Sequence, residues 1–90
     1  MTTKVVNKYK EDYDIYIGRP SKYGNPFILE VDGDRDEICD KHLADLRTMN
    51  PKELSKFLKP LVGKKLGCFC KPKRCHGDNF LILIKELGLE

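Results

Sequence analysis

A chain of 90 residues has room for one hydrophobic core, and its 40% hydrophobic and 34% charged residues exclude a disordered polymer. No apolar run nears the roughly 20 residues that cross a bilayer, and Met1-Thr2-Thr3-Lys4 lacks the apolar core of a secretion signal. A single α/β domain over residues 1–90, cytoplasmic and without membrane contact, is therefore expected.

Lys4-Val5-Val6-Asn7 is a short extended candidate, and Tyr13 to Ile17 (Y-D-I-Y-I) is rich in β-formers and reads as a strand. Gly18 to Phe27 (G-R-P-S-K-Y-G-N-P-F) holds two glycines and two prolines in ten residues, which forbids a regular element. Phe27 to Val31 is a brief extended candidate, followed by a turn at Asp32-Gly33-Asp34. A helix is predicted from about Arg35 to Thr48, capped by Asp34 or Asp36. Asn50-Pro51-Lys52-Glu53 marks a second helix start, and Leu54, Phe57, Leu58 and Leu61 recur at i, i+3, i+4, i+7 to give one apolar face. Pro60 and Gly63 stop that helix. Lys65 to Cys70 reads as a strand with Leu66, Cys68 and Cys70 on one face, and a last helix runs from about Gly77 to Leu87. The passage from the second strand to the third through two helices is long enough for a parallel crossover. The expected architecture is a short, mostly parallel sheet of three strands or so, flanked by helices.

Two stretches carry the chemistry. In Cys68 to Asp78 (C-F-C-K-P-K-R-C-H-G-D), three of the four cysteines and one of the two histidines fall within eleven positions. Residues 64–76 hold five basic side chains (Lys64, Lys65, Lys71, Lys73, Arg74) and no acid, a field that attracts phosphate or nucleic acid. In a reducing compartment the cysteines are expected as thiols or metal ligands rather than disulfides. Cys75 next to a helix start, beside His76 and after Lys73 and Arg74, has several influences that lower a thiol pKa. Asp78 either orients His76 or complements the helix dipole. His42, on the apolar stripe of a helix, reads as structural.

The same residues admit zinc, which takes four thiolate or imidazole ligands in a tetrahedron: Cys68, Cys70, Cys75 and His76. Cys39 is an alternative ligand, but its place on an amphipathic helix favours the core, where cysteine packs as a small hydrophobe. In the Gly18–Phe27 loop, Arg19 can form two hydrogen bonds to a phosphate, with Ser21, Asn25 and the backbone at Gly24 adding donors. If the two strands are parallel neighbours, their carboxyl-end loops meet, and ligands bind at such ends.

Taken together, G-R-P-S-K-Y-G-N-P-F and L-G-C-F-C-K-P-K-R-C-H-G-D resemble an uncharacterised phage and bacterial family, DUF4326-like in pattern. That family has a G-R-x-S-x-x-G-N-P-F loop after a strand, a helical middle, and a C-x-C-x-P-x-x-C-H-x-D segment opening the last helix. Arg19, Gly24, Asn25, Pro26, Cys68, Cys70, Pro72, Cys75, His76 and Asp78 stand at the pattern positions, and the match covers nearly the whole chain. The resemblance implies that the two segments act as one unit, and a host cytoplasm for a phage-encoded chain. It implies no established activity. The short middle segment implies that a lid or extra helix of longer relatives is missing.

Two function classes follow. In the first, a phosphate-bearing or nucleotide-like molecule lies between the loops, gripped by Arg19, Ser21, Gly24, Asn25, Lys71, Lys73 and Arg74, with Cys75, His76 and Asp78 as a reactive end. A thiol and an imidazole can serve as nucleophile and base, but no third catalytic element is secure, so enzyme or binder stays open. In the second, Cys68, Cys70, Cys75 and His76 hold zinc in a module that binds nucleic acid or protein. Tyr23 is the aromatic expected at the surface, and so few exposed rings argue against single-strand stacking.

Overall fold

Lys65–Cys68, here β3, is the strand on which the sheet assembles. The computed structural model describes residues 2–18, 21–27, 30–68 and 73–89. β1 (Lys4–Asn7) and β2 (Ile15–Tyr16) flank β3 in the order β1-β3-β2, and both pairings are parallel. Val5 and Ile15 both align with Leu66, while Val6 and Tyr16 align with Gly67. β2 is shorter than the predicted Tyr13–Ile17, but pairing continues past its ends: Asp14 N–H donates to the Lys65 carbonyl and Ile17 N–H to that of Gly67. The predicted Cys70 end of the third strand lies outside the described residues.

The helices start where their caps predict. α1 (Arg35–Leu46) opens on a reciprocal capping box, in which Asp34 accepts from Glu37 N–H and the Glu37 carboxylate accepts from Asp34 N–H. It ends before the predicted Thr48, whose hydroxyl instead donates to the Asp45 carbonyl. α2 (Pro51–Leu58) has Asn50 as its cap and proline in its first turn, and continues as a 3₁₀ turn over Lys59–Leu61 that contains Pro60. α3 (Gly77–Glu86) closes in a Schellman motif: Gly88 N–H donates to Lys85 and Leu89 N–H to Ile84, with Gly88 at φ 65°. Of the extended piece predicted at Phe27–Val31, residues 28 and 29 lie outside the described residues, Phe27 is a bend and Glu30–Asp32 a turn, with Glu30 at φ 68° and its N–H given to the Gly33 carbonyl.

One cluster of buried side chains joins all three helices to a single sheet face. Leu46 comes from α1, Leu54 and Leu58 from α2, and Phe80, Leu83 and Ile84 from α3, packed with Leu66, Cys68 and Ile17. Val5 and Ile15 join this face, as their alignment with Leu66 requires. Tyr23, expected at the surface, is only 6% exposed. Its ring packs against Phe57 and Phe80, with centroids 4.7 and 5.8 Å away, and its hydroxyl donates to the Phe57 carbonyl. Among the described residues no helix is long and apolar enough to cross a membrane.

Helix α3 meets the sheet through Gly77. A Cβ there would stand 2.6 Å from Ile17 Cδ1 and 2.9 Å from Val5 Cγ2, closer than packed carbons approach. Ile17 Cδ1 is the end of a flexible chain, but Val5 is β-branched and stiff. Gly77→Ala is thus expected to destabilise by about 1–3 kcal/mol, overriding the modest gain in helix propensity. A urea titration checks this: the midpoint should fall at constant slope, and an unchanged midpoint would mean that α3 is not seated this tightly.

Candidate functional site

The end of the second strand segment and the start of α3 meet at the carboxyl end of the sheet. Ile17 ends the second strand segment, and its carbonyl lies 2.7 Å from His76 Nε2. A carbonyl only accepts, so Nε2 carries the proton, and in the neutral ring Nδ1 is left as the acceptor. Nδ1 lies 3.6 Å from Cys75 Sγ. The turn before α3 makes this neighbourly contact possible, because His76 is already in the helical region (φ −58°, ψ −22°) and swings its ring back over Cys75. Gly77 N–H points at Sγ from 3.4 Å, so the sulfur faces one imidazole nitrogen and the opening of a helix. Of these two, only Gly77 N–H is a donor to the sulfur; the Nδ1 lone pair can accept the S–H proton, so the pair is set as thiol donor and imidazole acceptor.

Asp78 acts on the same turn from the other side: its carboxylate accepts from Cys75 N–H at 3.3 Å. The group seen to orient His76 is the Ile17 carbonyl. Cys75 is 1% and His76 9% exposed, so the pair is walled in.

The predicted anion-gripping residues are distributed differently. Ser21 Oγ accepts from Tyr23 N–H and closes a local turn. Gly24 N–H donates to the Ser21 carbonyl. Asn25 is buried and braces the loop: its Oδ1 accepts from Phe27 N–H, and its Nδ2 donates to the Ile38 carbonyl in α1. Lys73 is exposed. Arg74 forms ion pairs with Asp36 at 3.0 Å and Asp40 at 2.8 Å, and these carboxylates raise its pKa still further. Arg19, Cys70 and Lys71 lie outside the described residues. Cys68 is buried in the core on the helix-facing side of β3. Among the described residues, no three His, Cys, Asp or Glu side chains are grouped to hold a metal.

Behind the Cys75–His76 pair lies a polar cluster that the sequence reading did not assemble. Asn79, 1% exposed, donates through Nδ2 to the Cys39 carbonyl at 2.8 Å and faces His42 Nδ1 at 3.1 Å. An amide nitrogen can only donate, so Nδ1 of His42 accepts and that ring is neutral with its proton on Nε2. Burial, and then the neighbouring His76, push the His42 pKa down to about 4. The two imidazoles stand edge to face, 5.3 Å apart, and both contact the Phe80 ring. His76 and Asn79 are spaced i, i+3, the signal by which one face of α3 could have been read as polar at its start.

Comparison with known proteins adds kinship. Residues 2–86 match the family model described as a domain of unknown function (DUF4326). The chain is 40% identical over 86 residues to a protein of Enterobacteria phage T4 described as an uncharacterized 12.4 kDa protein in the nrdA-td intergenic region, which covers 93% of this chain and 79% of that one. No solved structure matches. With all but its terminal residues under the family model and a phage relative aligned along most of its length, this chain belongs to the DUF4326 family.

Proposed function

We propose that this protein binds a phosphate-bearing or nucleotide-like small molecule at the carboxyl end of its parallel sheet, with Cys75 and His76 as the reactive pair. The supporting observation is the 2.7 Å contact between His76 Nε2 and the Ile17 carbonyl. It ties the strand end that precedes the Gly18–Phe27 loop to the start of α3, where α/β sheets receive ligands, and it turns Nδ1 toward the Cys75 sulfur. In this reading the thiol proton passes from Sγ to Nδ1, while Nε2–H stays on the Ile17 carbonyl. Gly77 N–H then steadies the thiolate. Asp78 holds the Cys75 backbone, and Lys73, Arg19 and Lys71 supply positive charge for the phosphate. Calorimetric titration with a panel of nucleotides and nucleotide sugars tests it. Binding in the micromolar range, retained in Cys75→Ser and weakened in Lys73→Glu, is expected; no heat from any member at millimolar concentration would overturn it.

A second reading rests on a distance. Zinc with a thiolate at about 2.3 Å and an imidazole at about 2.0–2.1 Å, in a tetrahedron, sets sulfur and nitrogen roughly 3.6 Å apart. Cys75 Sγ and His76 Nδ1 have that separation, 3.6 Å. An Nε2–H given to a carbonyl is also the usual support for a ligating imidazole. Cys68 and Cys70 would complete the set, giving a zinc-stabilised module that binds nucleic acid or protein. Elemental analysis separates the two readings: one zinc per chain assigns the pair as ligands, and a metal-free protein leaves it as thiol and base.

A further inference from the structure

We propose that the sheet face turned away from the helices binds single-stranded nucleic acid, through the rings of Tyr9, Tyr13 and Tyr16 and the cations of Lys8, Lys10 and Lys65. The strands alternate sides. Val5, Ile15 and Leu66 belong to the helix-facing core, so Val6, Tyr16 and Gly67, aligned with one another, belong to the other side. On that side the central strand has no side chain of its own at Gly67, and the Tyr13 ring lies over it: a Cβ there would stand 2.5 Å from Tyr13 Cγ. Tyr13 and Tyr16 are neighbours, with centroids 6.4 Å apart. Lys8 Nζ sits 4.6 Å from the Tyr16 ring centroid and 5.0 Å from that of Tyr9.

These rings are available. Tyr9 is 77% and Tyr13 43% exposed, so among the described residues the surface aromatics are these two and not Tyr23. Beside them is an open depression of about 450 Å³ lined by Lys8, Tyr9, Lys10, Lys65, Glu11 and Asp12. Aromatic faces interleaved with cations suit unstacked bases joined by phosphates. The carboxylates of Glu11 and Asp12 confine phosphate to the lysine side. They also oppose the denser charge of a duplex, whose stacked bases offer no free faces to the rings. This surface is built from β1, β2 and the chain between them, and uses neither Cys75 nor His76.

Fluorescence anisotropy with labelled twelve-nucleotide oligo-dT and oligo-rU tests the proposal, and the tighter of the two tells DNA from RNA. Micromolar binding at low salt is expected, with log K falling against log salt at a slope of about −0.7 per phosphate contacted, so about −2 for the three lysines. The protein has no tryptophan, so quenching of its tyrosine emission on binding reports ring contact directly. Tyr9→Ala should weaken binding roughly 5- to 150-fold, as loss of one stacked base does, while Tyr9→Phe should leave it intact. Lys8→Glu should weaken binding and flatten the salt slope, and Lys85→Glu on α3 should change neither. Tyr13→Ala is scored with its urea midpoint, since that ring packs on β3; Tyr9, at the surface, carries the test if Tyr13→Ala unfolds. Failure of both oligonucleotides to bind at 100 μM protein would overturn the proposal. So would binding indifferent to Tyr9→Ala, or self-association through the tyrosines in sedimentation without oligonucleotide.

Discussion

Phe80→Ala is expected to lower stability by about 3–5 kcal/mol, the range for deleting a large aromatic from a core. Phe80 is fully buried, and its ring is the hub of the aromatic cluster. Tyr23, Phe57, His42 and His76 approach it with centroid separations of 5.8, 6.5, 5.4 and 5.9 Å. Those rings come from the Gly18–Phe27 loop, α2, α1 and the start of α3, so they cannot all collapse into the vacated space. A domain of this size has about 5–15 kcal/mol in total, so the variant should sit near its unfolding threshold at 37 °C. Urea titrations of wild type, Phe80→Ala and Phe80→Leu check this. Leucine should recover much of the loss, and a cost below 1 kcal/mol for alanine would show that α1 and α2 close over the gap.

The second large effect is acid-induced. His42 titrates near 4 in the folded protein because burial, and then His76, disfavour its cation, against about 6.5 in an unfolded chain. Above pH 6.5 the ring is neutral in both states and stability does not depend on it. As pH falls from 6.5 toward 4, the unfolded chain takes up a proton that the folded one refuses. Stability then drops by up to about 1.4 kcal/mol per pH unit, or roughly 3 kcal/mol over the whole window. Carboxylates titrate at the low end too, so the measurement is a difference: unfolding free energies of wild type and His42→Gln at pH 7, 5.5 and 4.5. The gap between them should narrow or reverse as pH falls. A constant gap would mean that His42 is protonated alike in both states.

Local signals in the sequence translated well, and long-range ones only in part. The starts of α1 and α2 were legible because Asp34, Glu37, Asn50 and Pro51 act within four residues of themselves. That β2 and β3 are parallel neighbours was legible from the length of the passage between them, and the His76–Ile17 bond spans 59 positions at their carboxyl edge. Tyr23 was misplaced for the opposite reason. Between a glycine-rich loop and a lysine, nothing local says that Phe57 and Phe80 will cover it. The Asn79–His42–Cys39 cluster was invisible because its members are 37 and 40 positions apart, and each looks ordinary on its own helix. The strand at Tyr13–Ile17 keeps only two ladder residues, although Asp14 and Ile17 still donate to β3 on either side of them.

The order β1-β3-β2 has a consequence for how the chain is made. β1 and β2 are synthesised before β3, yet neither pairs with the other; each waits for Lys65–Cys68. The sheet therefore cannot form as the chain grows, and nearly all its backbone bonds close late, over long separations, which slows folding. Until then Tyr13 has no Gly67 to lie over and Ile15 no partner, and the stretch from Lys65 onward acts as the keystone that lets the earlier pieces lock.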